Sequence, residues 1–364
     1  MISKPKFFYI VVVFLLLSII TGCPAAKNKK EKSSSPSHHT LVQDNHDHFN
    51  NSNEEVLLKK MDVPRQLPEA KVLRVATFNC EWLFDNDPSD QEGVPPQIKA
   101  LFPKTRKEYI AKLHRVAAVL IGIRAHVYAL QEIEDADVLQ DLAQILEYNL
   151  KRKYEVCFKP GGDRYTRQNV GILSAYPVLD VRRFKFQRGS RVTKHLSVTI
   201  EVMGEKVQII TLHLKAGSHE RNFEKRAMQA KAIHAQIQRY VSSRNIIVMG
   251  DLNTHIKFKP KRKKKKRSKS KKKKNSPRKD ADYYLTGKHT RRKKDDLIDI
   301  NQKLERAERI THGERGQYDR ILLSPPIFED DPNKKDLYFI QAGRWKVDPK
   351  TSDHHALWAE FDYR

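Results

Sequence analysis

Cysteine is scarce in this chain, with three in 364 residues. Cys23 belongs to a processing signal described below, and Cys80 and Cys157 fall in segments that read as strands. Two such cysteines do not make the disulfide framework that holds small secreted domains together, and they read as buried free thiols, with pairing in an oxidising compartment as the alternative. Internal repeats are absent, which sets aside solenoids and propellers. Acid is in deficit: 44 Asp and Glu stand against 70 Lys and Arg, a formal net charge of +26. Apolar residues make up 39% of the chain, low for a globular protein, so part of it is expected to lie outside any core. The apolar stretch from Phe7 to Ile20 is 14 residues, too short to span a bilayer comfortably.

That stretch reads as part of a secretory signal, with Lys4 and Lys6 as its positive start. It ends in Ile19-Ile20-Thr21-Gly22-Cys23, which resembles the bacterial lipobox. The resemblance implies removal of residues 1–22 and a diacylated Cys23 as a lipid anchor in the bacterial cell envelope. Pro24, rather than Asp, after the cysteine is similar to lipoproteins sent to the outer membrane of Gram-negative cells. Residues 23–69 are polar with almost no apolar periodicity and read as a flexible linker. Its His38, His39, His46 and His48 read as solvated linker residues, with weak metal binding as the alternative.

One α/β domain is expected over 70–364. Val72 to Phe78, Val127 to Leu130, Tyr154 to Phe158, Gly171 to Ser174, His195 to Val202, Val207 to Leu214, Ile246 to Met249, Arg320 to Leu323 and Ala356 to Phe361 read as strands. Residues 105–123, 136–150 and Phe223 to Tyr240 have helical apolar spacing. A Met203-Gly204-Glu205 turn should join two antiparallel strands. The domain is interrupted by a basic insertion at about 257–280. From Lys257 to Lys279, 16 of 23 residues are Lys or Arg and none is acidic; without those sixteen the chain would carry +10. So many like charges cannot pack, and the tract is expected to be disordered until it meets an anion. With few aromatics it does not suggest base stacking.

Six short segments place an acid, amide or imidazole at the end of an apolar strand. They are Thr77-Phe78-Asn79-Cys80-Glu81, Ala129-Leu130-Gln131-Glu132, Thr211-Leu212-His213-Leu214, Val248-Met249-Gly250-Asp251-Leu252-Asn253, Gln317-Tyr318-Asp319-Arg320 and Ser352-Asp353-His354-His355. In layered α/β proteins such ends build the site. Each has a plainer use alone: Glu132 could cap the following helix, Asp251 and Asn253 could make an Asx-turn, and Asp353 with His354 could be a surface turn. Six together favour a site.

The ordered set resembles the endonuclease/exonuclease/phosphatase superfamily, of which deoxyribonuclease I is a member. Gly250-Asp251-Leu252-Asn253 and the terminal Ser352-Asp353-His354 are the most specific pieces, and the resemblance covers nearly all of 70–364. It implies a four-layered α/β sandwich with two packed mixed sheets and metal-dependent phosphodiester hydrolysis. Glu132 is the first choice of ligand for Mg²⁺ or Mn²⁺, with Asn79, Glu81 and Asp353 completing the shell. His354 is the expected general base. By resemblance its carboxylate partner is Asp319, not Asp353, which alternation along a strand would point elsewhere. Asp251 and Asn253, two apart on an extended segment, should both face the phosphate. His213 should be a second phosphate donor or acid, and Asn79 and Asn169 should lie near the phosphate. His355 reads as a packing neighbour or weak phosphate contact, and Arg226 as a buried ion-pair residue.

The basic tract suggests a polyanion partner. A nucleic-acid backbone, an anionic lipid surface and a nuclear localisation signal all remain open, and the tract's place at the rim of the site favours the first. A nuclease on DNA or RNA, acting as a monomer, is therefore the leading expectation. A phospholipid-headgroup phosphodiesterase or phosphatase is the alternative, although no aromatic membrane-inserting hairpin supports it. A binding protein on an inactive scaffold is the third.

Overall fold

The computed structural model describes residues 71–89, 91–187, 189–254, 279–313, 316–329 and 336–364. The signal segment, Cys23, the polar linker and all of the basic tract but Lys279 lie outside them.

Twelve strands form two six-stranded mixed sheets among the described residues. The first sheet contains β1 (Val72–Leu83), β2 (Val127–Ile133), β3 (Glu155–Phe158) and β4 (Asn169–Ser174), together with β11 (Leu337–Trp345) and β12 (Ala356–Tyr363), in the order β11-β12-β1-β2-β4-β3. The second contains β5 (Val178–Arg182), β6 (His195–Val202), β7 (Glu205–His213), β8 (Asn245–Asp251), β9 (Ile298–Asp299) and β10 (Asp319–Leu323), in the order β5-β6-β7-β8-β10-β9. Each sheet holds one parallel pair, β1 with β2 and β7 with β8, among antiparallel neighbours. The β6–β7 turn places Met203 and Gly204 at φ 53° and 84°, as a two-residue turn between twisted strands requires.

Alternation along the strands explains the layers. Leu73 and Val75 of β1, Val127 and Ala129 of β2, Val207 and Ile209 of β7, Ile247 and Met249 of β8, and Ile321 and Leu323 of β10 fill the seam between the sheets. The opposite row of the first sheet, including Phe78, Tyr128 and Leu130, packs under α2 (Arg106–Ile123) and α3 (Ala136–Leu150), which follow the one-turn α1 (Pro96–Lys99). The outer row of the second sheet, including Leu212, Val248 and Leu322, packs under α4 (Glu220–Ile237). The short α5 (Ala281–Leu285) adds to that layer, and α6 (Pro325–Phe328) follows β10. Thr105 and Asp135 accept backbone N–H bonds at the starts of α2 and α3, at 3.2 and 3.0 Å. A buried Val, Leu, Ile or Met side chain is worth about 1.5–3 kcal/mol, so slipping one strand by one residue would turn several of these contacts outward.

The seam changes chemistry at one end. Two residues beyond the last apolar pair, Gln131 donates to Thr77 at 3.1 Å and across the seam to Thr211 at 3.0 Å. Two residues further on the same rows stand Asn79 and His213, and Asp251 and Asp319 end the rows of β8 and β10. The fold thus aims these four side chains into the polar end by the same alternation that builds the core. Asp319 begins β10 rather than ending it, because β10 runs antiparallel to β8 and pairs Asp319 with Asp251.

Three strands escaped the periodicity. β5 and β11 are edge strands with partly exposed rows, and β9 has two residues, so alternation is weak in each. Helix α4 starts three residues earlier than expected and ends at Ile237. Cys80 and Cys157 are free and buried, in the helix-side core and the seam respectively, on opposite faces of the first sheet.

Gly250 is the backbone position on which this end depends. Its φ is +138°, and an added Cβ would lie 2.1 Å from the Leu212 carbonyl oxygen. Gly250→Ala should cost about 3 kcal/mol or more, from strain and overpacking together. Gly204 is left-handed but open on all sides, so Gly204→Asn should cost under about 1 kcal/mol. Urea unfolding midpoints of the two variants measure the difference.

Candidate active site

Asn79 organises the polar end. Its amide nitrogen donates at 3.1 Å to Glu132 of its own sheet and at 3.1 Å to Asp251 of the facing sheet. Its side-chain oxygen accepts from the Glu81 N–H at 3.0 Å. Asn79 therefore links a carboxylate of each sheet and stands directly behind Glu132, in the outer shell of any ion held there. Its backbone carbonyl accepts from Ser352 Oγ at 2.8 Å, and Ser352 Oγ accepts from the His354 N–H at 3.0 Å.

Glu132 reaches the site by breaking the strand pattern. Its φ is 60°, and the register of β2 slips at this residue against both neighbours. A left-handed residue other than glycine costs about 1–3 kcal/mol and persists where surrounding bonds hold it. Here Gln168 donates to Glu132 Oε2 at 2.6 Å and the Trp82 N–H at 3.2 Å. Glu81 and Trp82, also left-handed, fill the matching bulge in β1.

His354 and Asp319 form a buried pair, with Nδ1 and Oδ2 2.7 Å apart. The Asp319 N–H is fixed by Thr311 Oγ1 at 3.0 Å. Nε2 of His354 points the other way and lies 3.8 Å from Asp251 Oδ2. His213 Nε2 sits between the sheets, 3.6 Å from Asp251 and 3.8 Å from Glu132. Burial, then Lys194, holds His213 well below the ordinary imidazole range, so it is neutral and can donate one proton.

Asn253 lines the cavity with Asp251, but its backbone is not extended. Its φ is 51°, its N–H donates to Asp251 Oδ1 at 2.7 Å, and its side chain turns back on Asp251 Oδ2 at 3.0 Å and the Leu214 carbonyl at 3.1 Å. The plain Asx-turn is thus present, and it fixes Asp251. Asp353 does not point away: its oxygens lie 3.0 Å from His312 and 3.8 Å from His354. It precedes β12 in a turn, where strand alternation does not apply. Asn169 does not join the cluster. Its amide group binds the Glu134 and Arg167 carbonyls and the Gly161 N–H, which staples two loops. Its neighbour Gln168 holds Glu132 instead, with its oxygen on Lys194 at 2.7 Å. His355 accepts from the Val347 N–H at 3.2 Å and packs behind the site. Arg226 is fully buried and pairs with Asp280 at 3.0 Å.

Glu81, Glu132, His213, Asp251, Asn253, Asp353 and His354 line one cavity of about 350 Å³, with Asn79 and Asp319 behind it. Trp82 of the β1 bulge shares the cavity wall with His312 and Tyr318, and no role for these three was read from the sequence. A larger groove, about 920 Å³, opens at the opposite ends of β7 and β8, where Arg182, Lys206 and Arg244 stand with Glu205 and Asp336.

The charges suit a hard divalent cation. Burial pushes Glu132 above the usual carboxylate range. Burial, then Asp353, does the same to Glu81, and burial raises Asp251 to about 7 against the pull of His354. The nearest lysines are engaged: Lys194 with Asp163 at 2.9 Å and Lys112 with the Thr351 carbonyl. Carboxylates that converge on one cavity and keep free lone pairs fit an oxygen-seeking ion, with Glu132 central and Glu81 and Asp353 beside it.

A sequence model of the Endonuclease/Exonuclease/phosphatase family matches residues 76–354. No curated protein matches the chain in sequence. Among solved structures, a protein of that description from Beutenbergia cavernae has a TM-score of 0.53 at 16% identity, over 80% of this chain and 72% of that one. Danio rerio TDP2 carrying 14 humanising mutations gives 0.51 at 16%, over 80% and 100%. The human Nocturnin catalytic domain, with bound sulfate, gives 0.50 at 13%, over 80% and 94%. These likenesses show a shared fold, two packed mixed sheets in an α/β sandwich.

Burial opposes charge on His354, but Asp319, then Asp251 and Asp353, outweigh it and carry the imidazolium up to about 10. In the metal-free protein, Asp319→Asn should lower that pKa by about 1–3 units, read by NMR titration of the ring. The sign follows from linkage: a raised imidazole pKa stabilises the fold fully below its unfolded value near 6.5 and loses that contribution as pH climbs through about 10. The stability advantage of wild type over Asp319→Asn should therefore shrink across that window; an advantage that grows with pH would refute the assignment.

Proposed function

The chain belongs to the endonuclease/exonuclease/phosphatase family, and from that premise we propose that it is a metal-dependent phosphodiesterase that cleaves nucleic acid. The observation that carries this reading is the convergence of an Asp319–His354 pair and an Asn79-bridged Glu132 and Asp251 on one cavity.

Asp319 fixes the His354 tautomer through Nδ1, leaving Nε2 to take a proton from the attacking water. Asp251, braced on both oxygens by Asn253 and Asn79, orients that water or returns a proton to the leaving oxygen. Neutral His213 donates to a phosphoryl oxygen. Mg²⁺ or Mn²⁺, held by Glu132 with Glu81 and Asp353, would neutralise phosphoryl charge and offset the carboxylate field that keeps His354 protonated.

Charge supports nucleic acid as the substrate. The basic tract leaves the described structure just after Thr254, whose hydroxyl donates to the Gln317 carbonyl at 2.7 Å beside the site. It returns at Lys279 and Asp280, and Asp280 is held by Arg226, which also donates to the Lys215 and Gly217 carbonyls at the cavity wall. The described residues that flank the tract are thus bonded to neighbours of the cavity wall, and its Lys and Arg would grip a phosphate backbone without reading its sequence. In the same proposal, Cys23 carries the lipid that tethers the monomeric domain to the bacterial envelope. Among the described residues no helix is long and apolar enough to cross a membrane.

Purified chain incubated with supercoiled plasmid, RNA and sphingomyelin, with Mg²⁺ or with chelator, tests the reading. Metal-dependent nicking or RNA cleavage should fall about 100- to 10,000-fold in His354→Ala. Headgroup release without nucleic-acid cleavage would transfer the assignment to the lipid class. Deleting residues 257–279 should flatten the dependence of nucleic-acid affinity on salt, and an unchanged slope would remove the tract from the interface.

A further inference from the structure

We propose that His312, Asp353 and His354 form a second cation site at the cavity mouth, one that takes a borderline transition ion such as Zn²⁺, and that its occupation blocks the reaction by holding His354 Nε2. One donor atom from each of the three residues lies within 4.8 Å of the others. Asp353 supplies both short links, Oδ2 at 3.0 Å from His312 Nε2 and Oδ1 at 3.8 Å from His354 Nε2.

The arrangement is held by the backbone. His312 and His354 are direct partners in an antiparallel bridge, and the next N–H, from His355, donates to the Thr311 carbonyl at 2.7 Å. Cross-strand partners carry their Cβ atoms about 4.5–5.5 Å apart, close enough for two imidazoles to share an ion. The ring centroids are 4.7 Å apart. The His312 ring is clamped by stacking on Tyr318 at 4.5 Å and 14°, and the Asp353 N–H is fixed by Glu81 at 3.0 Å.

Asp319 behind His354 completes the case. A metal-bound imidazole characteristically gives its other nitrogen to a carboxylate, which orients the ring and raises its basicity. That bond exists at 2.7 Å. Two imidazoles and one carboxylate select a zinc-class ion, whereas the oxygen donors around Glu132 select Mg²⁺. The His312 and Asp353 side chains are 31% and 54% exposed, so an ion can enter and water can take its remaining position. Ion binding follows from this geometry alone; the blocking effect rests on the role proposed for His354.

Equilibrium dialysis of the full chain against Zn²⁺ in a large excess of Mg²⁺ tests the site. Wild type should bind Zn²⁺ at a site whose affinity falls at least about tenfold in His312→Ala and in Asp353→Asn, with circular dichroism to identify a variant that fails to fold. The linker histidines add the same background to every chain, so the difference between chains is the reading. In the hydrolysis assay, the Zn²⁺ concentration that halves each chain's own Mg²⁺-supported rate should rise by a similar factor in His312→Ala. Equal Zn²⁺ binding in wild type and both variants would overturn the site. Binding lost in the variants with inhibition unchanged would overturn the block. A chain that hydrolyses no phosphodiester would overturn the block and the proposed function together, while dialysis would still decide the site.

Discussion

The polar end of this molecule depends on one amide group. Asn79 gives its nitrogen to a carboxylate on each sheet, its oxygen to the Glu81 N–H, and its backbone carbonyl to the serine that positions His354. Two acids facing each other across a seam repel and resist burial. A donor between them turns that opposition into a link. Each buried polar group left without a partner would cost about 1–3 kcal/mol, so the arrangement holds as a unit or fails as one. The Thr77–Gln131–Thr211 layer beneath it separates this unit from the apolar seam and ties the sheets together just below.

Electrostatics works on two length scales here. The whole chain carries +26, whereas the cavity presents four carboxylates. Beyond a Debye length of about 8–10 Å the excess of Lys and Arg sets the field, which would attract the polyanion proposed as substrate. Within the cavity the carboxylates dominate, and an anion approaching alone would be rejected. Under the proposed function, a phosphate and its neutralising cation would enter the cavity together.

Much of the fold was legible because period-two alternation continues unbroken from core to site. The rows that end in Asn79, His213 and Asp251 could be read from their apolar beginnings, and the Gly250-Asp251-Leu252-Asn253 motif marked where β8 ends. What escaped the reading lies where alternation stops. Glu132 enters through a left-handed residue in a bulge, and a bulge moves the row by one without leaving a compositional trace. The same slip explains why Gln168 rather than Asn169 meets Glu132: β4 pairs Asn169 with Ile133, past the bulge. His312 is fixed by a bridge to a segment more than forty positions away, and no local pattern encodes such a contact. Asp353 was misdirected by applying strand geometry to a turn.

The shared rows also constrain how the gene can change length. Core and cavity use the same alternation, so an insertion or deletion of one codon within β1, β2, β7, β8 or β10 would expose core side chains and turn a cavity side chain away in the same event. Such changes fail twice, and variation in length is driven to the segments between strands. The stretch between Asp251 and Asp280 lies beyond the end of β8, where added residues shift no row. The sequence carries its run of lysines in that interval, after the last residue of β8 rather than inside any row.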